Sequence, residues 1–208
     1  MKVYGCKNGK LSANDLREIT GVIDDGGLIV YPSETVYGIG ADIFNESAMK
    51  KVFLAKHRPF DMPLSVGVAD KRMAAKIADI DENAEKLIDM FMPGPLTIIV
   101  RKNENVPDIV TSNSQKVGIR IPDHPAAMQI MRKTGPIVAT SANLHSRPDP
   151  VRMEEAKRDL GDAVAAYIDD GPCPLGKPST IIWLMDGEVE IIRQGAITKK
   201  QIEDVLRC

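Results

Sequence analysis

Two strand-like runs, Thr180 to Leu184 and Glu188 to Arg193, are separated only by Met185-Asp186-Gly187, and this short connection constrains the fold more than any other feature of the chain. Asp-Gly tolerates the positive φ angles of a tight hairpin, so the two runs must lie antiparallel. Parallel neighbours need a crossover of about a dozen residues or more, which disfavours a purely parallel doubly wound sheet. Elsewhere helical and strand-like segments mix along the whole chain. The expected class is therefore α/β, with a twisted mixed parallel/antiparallel sheet flanked by helices.

The helical segments announce themselves by caps and breakers. Ser12 with Asp15 opens a helix on which Leu16, Ile19 and Ile23 share a face until Gly26-Gly27 stops it, and Leu28-Ile29-Val30-Tyr31 follows as a strand. Asn45 caps a second helix with Ala48, Val52 and Ala55 on one face, and Pro59 limits how far it runs past Lys56. A third spans about Asp81 to Met92, carries Ala84, Leu87, Ile88 and Phe91, and ends at Pro93-Gly94-Pro95. Leu96 to Val100 and Val117 to Ile121 read as strands. Asp123 is then placed to cap a helix ending near Gly135, after which Pro136 to Ala139 is strand-like and runs into Thr140-Ser141-Ala142-Asn143. Met153 to Leu160 reads as a helix between the loops 147–150 and 171–178, and Thr198 with Gln201 caps a terminal helix bearing Ile202, Val205 and Leu206. No repeat and no linker interrupts this order, so one domain is predicted over residues 1–208, without a further C-terminal domain.

Composition narrows the function classes. The 27 Lys and Arg stand against 29 Asp and Glu, a net charge of -2, so nothing drives the whole surface toward nucleic acid or anionic membrane. Cys6, Cys173 and Cys208 are widely spaced and form no C-x-x-C, against both a disulfide framework and a zinc site. The N-terminus has no apolar signal-like core and no run reaches the roughly 18 residues of a membrane span. A cytoplasmic protein with no metal ligand set of its own is expected.

Polar groups recur where regular elements stop, which is where binding groups concentrate. Pro32-Ser33-Glu34-Thr35-Val36-Tyr37-Gly38-Ile39-Gly40 offers hydroxyls, a carboxylate and glycines; it reads either as a plain turn or as an anion-binding loop, and it matches neither the Walker loop nor the dinucleotide fingerprint. Lys56 and Arg58 either converge on one multi-oxygen anion or are solvated cations favoured by a helix C-terminus. Both are expected outside the apolar core, so that Lys56→Ala or Arg58→Ala would lower turnover and spare the fold. Arg120, set among strand-forming residues, needs an anion, either an internal carboxylate or a substrate. Thr140, Ser141 and Asn143, Ser179-Thr180 and Arg193-Gln194-Gly195 are further polar strand ends.

Together these segments resemble the YrdC-like family of threonylcarbamoyl-AMP synthases. The resemblance rests on the 32–40 stretch, Lys56-His57-Arg58-Pro59 with Pro63-Leu64, Pro93-Gly94-Pro95-Leu96-Thr97, Gly118-Ile119-Arg120-Ile121-Pro122, Thr140-Ser141-Ala142-Asn143, Pro178-Ser179-Thr180-Ile181 and Arg193-Gln194-Gly195, in that order along nearly the whole chain. It implies a fold enclosing a large positively charged cavity. It also implies a nucleotidyltransferase that makes threonylcarbamoyl-AMP and pyrophosphate from L-threonine, bicarbonate and ATP with Mg²⁺, feeding a downstream threonylcarbamoyl-transferase complex and the t6A modification of ANN-decoding tRNA.

By the same resemblance Ser33, Thr35, Arg120 and Ser179 face the threonine. Lys56, Arg58, Thr140, Ser141, Asn143, Arg147 and Arg193 face ATP, with Lys56, Arg58, Ser141 and Asn143 acting on the reacting phosphate. Many relatives read Asn-Pro-Leu and then a Val-His pair where this chain has Met62-Pro63-Leu64 and Val66-Gly67, which would remove one amide and one imidazole from the site. Proteins of the same fold described as double-stranded RNA-binding or ribosome-maturation factors supply the alternative reading. The 4% aromatic share gives base stacking little support.

Overall fold

The computed structural model describes residues 1–185 and 188–207; Asp186 and Gly187 of the expected hairpin turn, and Cys208, lie outside the described residues. Strand β1 (Lys2–Gly5) precedes helix α1 (Ala13–Asp24), which starts as the sequence predicts, with Ser12 Oγ accepting the Asp15 N–H at 3.1 Å and Ile19 and Ile23 buried. Then come β2 (Ile29–Tyr31), β3 (Gly38–Gly40) and α2 (Glu46–Lys56), whose first turn is capped by Asn45 accepting from Ala48 N–H at 3.0 Å. The middle of the chain forms β4 (Ser65–Gly67), α3 (Lys71–Ala74), α4 (Glu82–Phe91), β5 (Leu96–Arg101), α5 (Asp108–Thr111) and β6 (Lys116–Arg120). The last third forms α6 (Pro125–Thr134), β7 (Ile137–Val138), β8 (Thr140–Ser141), α7 (Met153–Leu160), β9 (Ala166–Asp169), β10 (Thr180–Met185), β11 (Glu188–Arg193) and α8 (Lys199–Leu206).

The mixed α/β class holds, and the strands divide between two sheets. One has the order β1-β9-β2-β3-β8 and the other β11-β10-β5-β6-β4-β7. β10 and β11 are antiparallel, with Trp183 opposite Glu190, as their spacing demands, while β10 runs parallel to β5. Both sheets are therefore mixed, and helices cover them. Strands β3, β4 and β9 escape sequence reading because a three- or four-residue run carries too little periodicity to register.

One helix start is corrected. Pro125 occupies the first turn of α6, so the cap falls on His124 rather than Asp123: His124 Nδ1 accepts the Ala126 N–H at 3.3 Å. Its proton therefore sits on Nε2, which faces Asp170 Oδ2 at 3.0 Å. Asp123 instead donates its N–H to Glu34 Oε2 at 3.0 Å.

The segment expected to be one strand and a loop, residues 136–143, joins the two sheets. Val66 pairs with Val138 in the six-stranded sheet, and Gly38 with Ser141 in the five-stranded one. Ala139 sits between them, its N–H donating to Ser65 O at 2.8 Å. Successive residues thus serve different sheets, and the space between the sheets at this point stays open. No helix among the described residues is long and apolar enough to cross a membrane.

Candidate functional site

A cleft of about 580 Å³, counting its open mouth, lies at the seam between the sheets. The five-stranded sheet contributes Gly38, Thr140 and Ser141; the six-stranded sheet contributes Ser65, Thr97, Arg120 and Arg193. The strand ends explain the convergence. β5 and β10 begin where the antiparallel β6 and β11 end, with Ile181 opposite both Thr97 and Arg193. Of the residues expected to bind, Ser33, Arg120, Ser179, Thr140, Ser141 and Arg193 line the cleft. Asp149 also lines it, a carboxylate that sequence reading did not single out because its Pro-flanked loop carries no pattern.

Arg120 has its anion inside the protein. Nη2 donates to Glu34 Oε1 at 2.7 Å and to Thr35 Oγ1 at 2.8 Å, and Nε donates to Gly94 O at 3.2 Å. Both side chains of the ion pair are about nine-tenths buried, at 11% and 9% exposure, so neither charge is left to water. Nη1 has no hydrogen-bond partner among the described residues. Thr35 is fully buried, contacts Ser33 Oγ at 2.8 Å and Arg120 Nη2 at 2.8 Å, and is not among the residues lining the cleft.

Ser179 is fixed from two sides. Its Oγ lies 2.9 Å from Thr97 Oγ1, and Arg193 donates from Nη2 to Ser179 O at 2.9 Å and to Ser179 Oγ at 3.2 Å. Next to it, Thr180 Oγ1 accepts the Gly195 N–H at 3.0 Å and the Ile197 N–H at 2.9 Å. Gly195 is packed so closely that a Cβ there would collide with the Pro178 carbonyl oxygen and with the backbone of Ser179 and Thr180. The Pro-Ser-Thr and Arg-Gln-Gly segments are one interlocked unit at the rim.

Lys56 departs from expectation. It is only 2% exposed and belongs to the core, and its ammonium donates to Asn143 O at 2.8 Å, to Asn143 Oδ1 at 3.3 Å and to Ser141 O. The expectation that Lys56 stands clear of the core is corrected: α2 ends under the 141–143 segment, and the long side chain passes inward. Burial, with the like charge of Arg58, pushes its pKa down to about 8. Asn143 Oδ1 also accepts from Ser141 Oγ at 2.6 Å, and Asn143 Nδ2 donates to Arg147 O at 2.6 Å.

Arg58 is half-buried and spends donors on its own turn, Nε to Met62 O at 3.1 Å and Nη2 to Pro63 O at 2.8 Å. Arg147 is exposed and paired with Asp159 at 2.9 Å. Lys56, Arg58, Asn143 and Arg147 are not among the residues lining the cleft; the first three shape the segments that carry Ser141 and the 58–63 turn.

The Gly67 departure has a structural counterpart. A Cβ on Gly67 would lie 2.5 Å from Met131 Cε and 3.2 Å from Ala139 Cβ. Met131, fully buried, thus occupies the space that a side chain at 67 would first enter. Met62 offers its backbone carbonyl to Arg58, a role indifferent to its side chain.

Residues 21–195 match the Sua5/YciO/YrdC family model, described as telomere recombination. The chain is 38% identical over 202 residues to a threonylcarbamoyl-AMP synthase of Bacillus subtilis, covering 95% of this chain and 58% of the relative. It is 39% identical over 184 residues to a putative threonylcarbamoyl-AMP synthase of Methanocaldococcus jannaschii, covering 88% of this chain and 86% of the relative. The crystal structure of Pyrococcus abyssi Sua5 complexed with L-threonine superposes with a TM-score of 0.94 at 33% identity, over 99% of this chain and 61% of that one. The chain thus spans less than two thirds of the length of two of these three relatives. A match over most of the sequence, with the same fold at that similarity, leaves one assignment: the chain belongs to the Sua5/YciO/YrdC family.

Proposed function

We propose that this chain is an L-threonylcarbamoyladenylate synthase, a nucleotidyltransferase that converts L-threonine, bicarbonate and ATP into threonylcarbamoyl-AMP and pyrophosphate. The observation that carries the reading is the seam cleft. A guanidinium edge with its counter-ion already supplied stands beside a row of hydroxyls, in a chain whose relatives bear the synthase name.

In this reading Arg120 Nη1 takes the threonine carboxylate, with Ser33 and Ser179 beside it. Thr140, Ser141 and Arg193 face the phosphates. The threonine amine adds to bicarbonate and water leaves, giving a carbamate. A carbamate oxygen then attacks the α-phosphorus and pyrophosphate departs. No protein nucleophile is needed; the protein's part is to hold the reactants in line, keep water out and meet the developing phosphate charge. Lys56 contributes by fixing the Ser141–Asn143 backbone, and Arg58 by fixing the turn after α2.

Mg²⁺ enters only as the ion that travels with the triphosphate. Among the described residues no group of three or more His, Cys, Asp or Glu is placed to hold a metal, so no step is routed through one. The product, a mixed anhydride, would be handed to a threonylcarbamoyl-transferase complex acting on tRNA.

The test is pyrophosphate release by purified protein with ATP, Mg²⁺, bicarbonate and L-threonine, omitting each in turn. Release that needs all of the substrates supports the reading. Absent or threonine-independent release, with tight binding of duplex RNA instead, overturns it.

A further inference from the structure

Glu34 lies within the 32–40 stretch and has so far figured only as the counter-ion of Arg120; it is the only acidic side chain paired to an arginine of the cleft among the described residues. Its two oxygens reach separate targets: Oε1 accepts from Arg120 Nη2 at 2.7 Å, and Oε2 accepts the Asp123 N–H at 3.0 Å. Three of the guanidinium's hydrogen-bonding contacts, to Glu34, Thr35 and Gly94, fix its plane from the side away from the cleft. At the same time the Asp123 contact ties the Ile121-Pro122 backbone, and Pro122 is itself a wall of the cleft.

We infer that Glu34 is a positioning residue for amino-acid recognition: through Arg120 it aims one guanidinium nitrogen at the substrate carboxylate, without touching the substrate. This rests on the reading of Arg120 as the carboxylate contact. The physical reason is specific. A guanidinium without a fixed plane loses the pre-organisation that makes a carboxylate fork selective. The uncompensated positive charge left behind attracts anions without orienting them, so it favours the multiply charged phosphates and does not restore the fixed fork that a single carboxylate needs.

The consequence is a change in discrimination rather than a uniform loss. Binding of L-threonine and of its carboxamide, which lacks the carboxylate charge, would be measured by calorimetry on the wild type, Glu34→Gln and Glu34→Asp, with ATP binding measured alongside. Glu34→Gln keeps the shape and removes the charge. It is expected to weaken L-threonine by about tenfold, corresponding to a coupling of ~1.4 kcal/mol within one hydrogen-bonded network, while the carboxamide and ATP are held as before or tighter. Glu34→Asp keeps the charge but, one methylene shorter, cannot serve both Arg120 and Asp123; an intermediate loss is expected.

Wild-type protein that prefers L-threonine over the carboxamide, with Glu34→Gln preferring it equally, overturns the role of Glu34 alone. Failure of both variants to fold makes Glu34 a structural residue and overturns it too. Wild-type protein that binds ATP but no L-threonine overturns the amino-acid reading of Arg120 and the inference with it.

Discussion

The Lys56 ammonium is held against Asn143, 2.8 Å from its backbone oxygen and 3.3 Å from Oδ1, although the two residues are 87 positions apart in the chain. The end of α2 and the start of the loop after β8 are thereby a single unit. A lysine that reads as a free cation is in fact a cross-brace.

Lys56→Met is expected to lower both stability and turnover. The thioether replaces the stem in volume but leaves the Ser141 and Asn143 carbonyls without their donor, a cost of about 1–3 kcal/mol for each group left unsatisfied. Urea unfolding monitored by far-UV circular dichroism measures the first effect and pyrophosphate release the second. An unchanged unfolding midpoint would show that the ammonium is not bracing this segment.

The same residue predicts a pH dependence. Its folded pKa, about 8, lies below the ordinary lysine value of 10.5. A depressed lysine disfavours the protonated folded state, so its contribution to stability is fully present above the ordinary value and is lost as pH falls through about 8. Activity runs the other way, because three acceptors require all three ammonium protons. Turnover is expected to fall as pH rises through about 8 while urea stability rises, and a Lys56→Met variant should show neither limb at that position.

Gly195→Ala is expected to destabilise by roughly 1–3 kcal/mol or more, because the added methyl meets three backbone atoms of the 178–180 segment rather than a side chain that can swing away. Arg193 would lose its place on Ser179. Thermal unfolding reads the stability loss, and a raised KM for the substrates reads the distorted rim. A tolerated alanine would mean that the 178–180 and 193–195 segments are not locked together.

Gly67→His, which would restore the imidazole of the family pattern that the sequence resembles, is expected to destabilise this chain, because the new Cβ would stand 2.5 Å from Met131 Cε and 3.2 Å from Ala139 Cβ and Met131 is fully buried. Pairing it with Met131→Ala should recover much of the loss. A double-mutant cycle by urea unfolding measures the coupling between the two positions. Additive effects would show that Met131 does not occupy the space in question.

Much of the local architecture was legible in the residue order. Ser12, Asn45 and Thr198 cap the helices predicted for them, the helix expected from about Asp81 starts with Asp81 as its cap, and Met153 to Leu160 is a helix end to end. The cap misassigned to Asp123 had a visible signal against it, since Pro125 fits the first turn and makes His124 the cap. The candidate site was legible as a set of motif residues, and six of them do line one cleft. Glu34, Asp149 and the burial of Lys56 were not legible. Each depends on what lies opposite, and nothing in a residue's near neighbours records that.

Sequence alone determined where most of the longer helices start and stop, that β10 and β11 are antiparallel, and which segments bear the candidate chemistry. All of these follow from local backbone preferences and side-chain periodicity. Only the tertiary structure decided that the strands form two sheets joined through Ala139, that their ends open a cleft, and that Glu34 rather than a ligand neutralises Arg120 from 86 residues away. The reason is that a buried charge must find a partner wherever the packing of distant strands places one, and that packing is a property of the assembled sheets rather than of any stretch of chain.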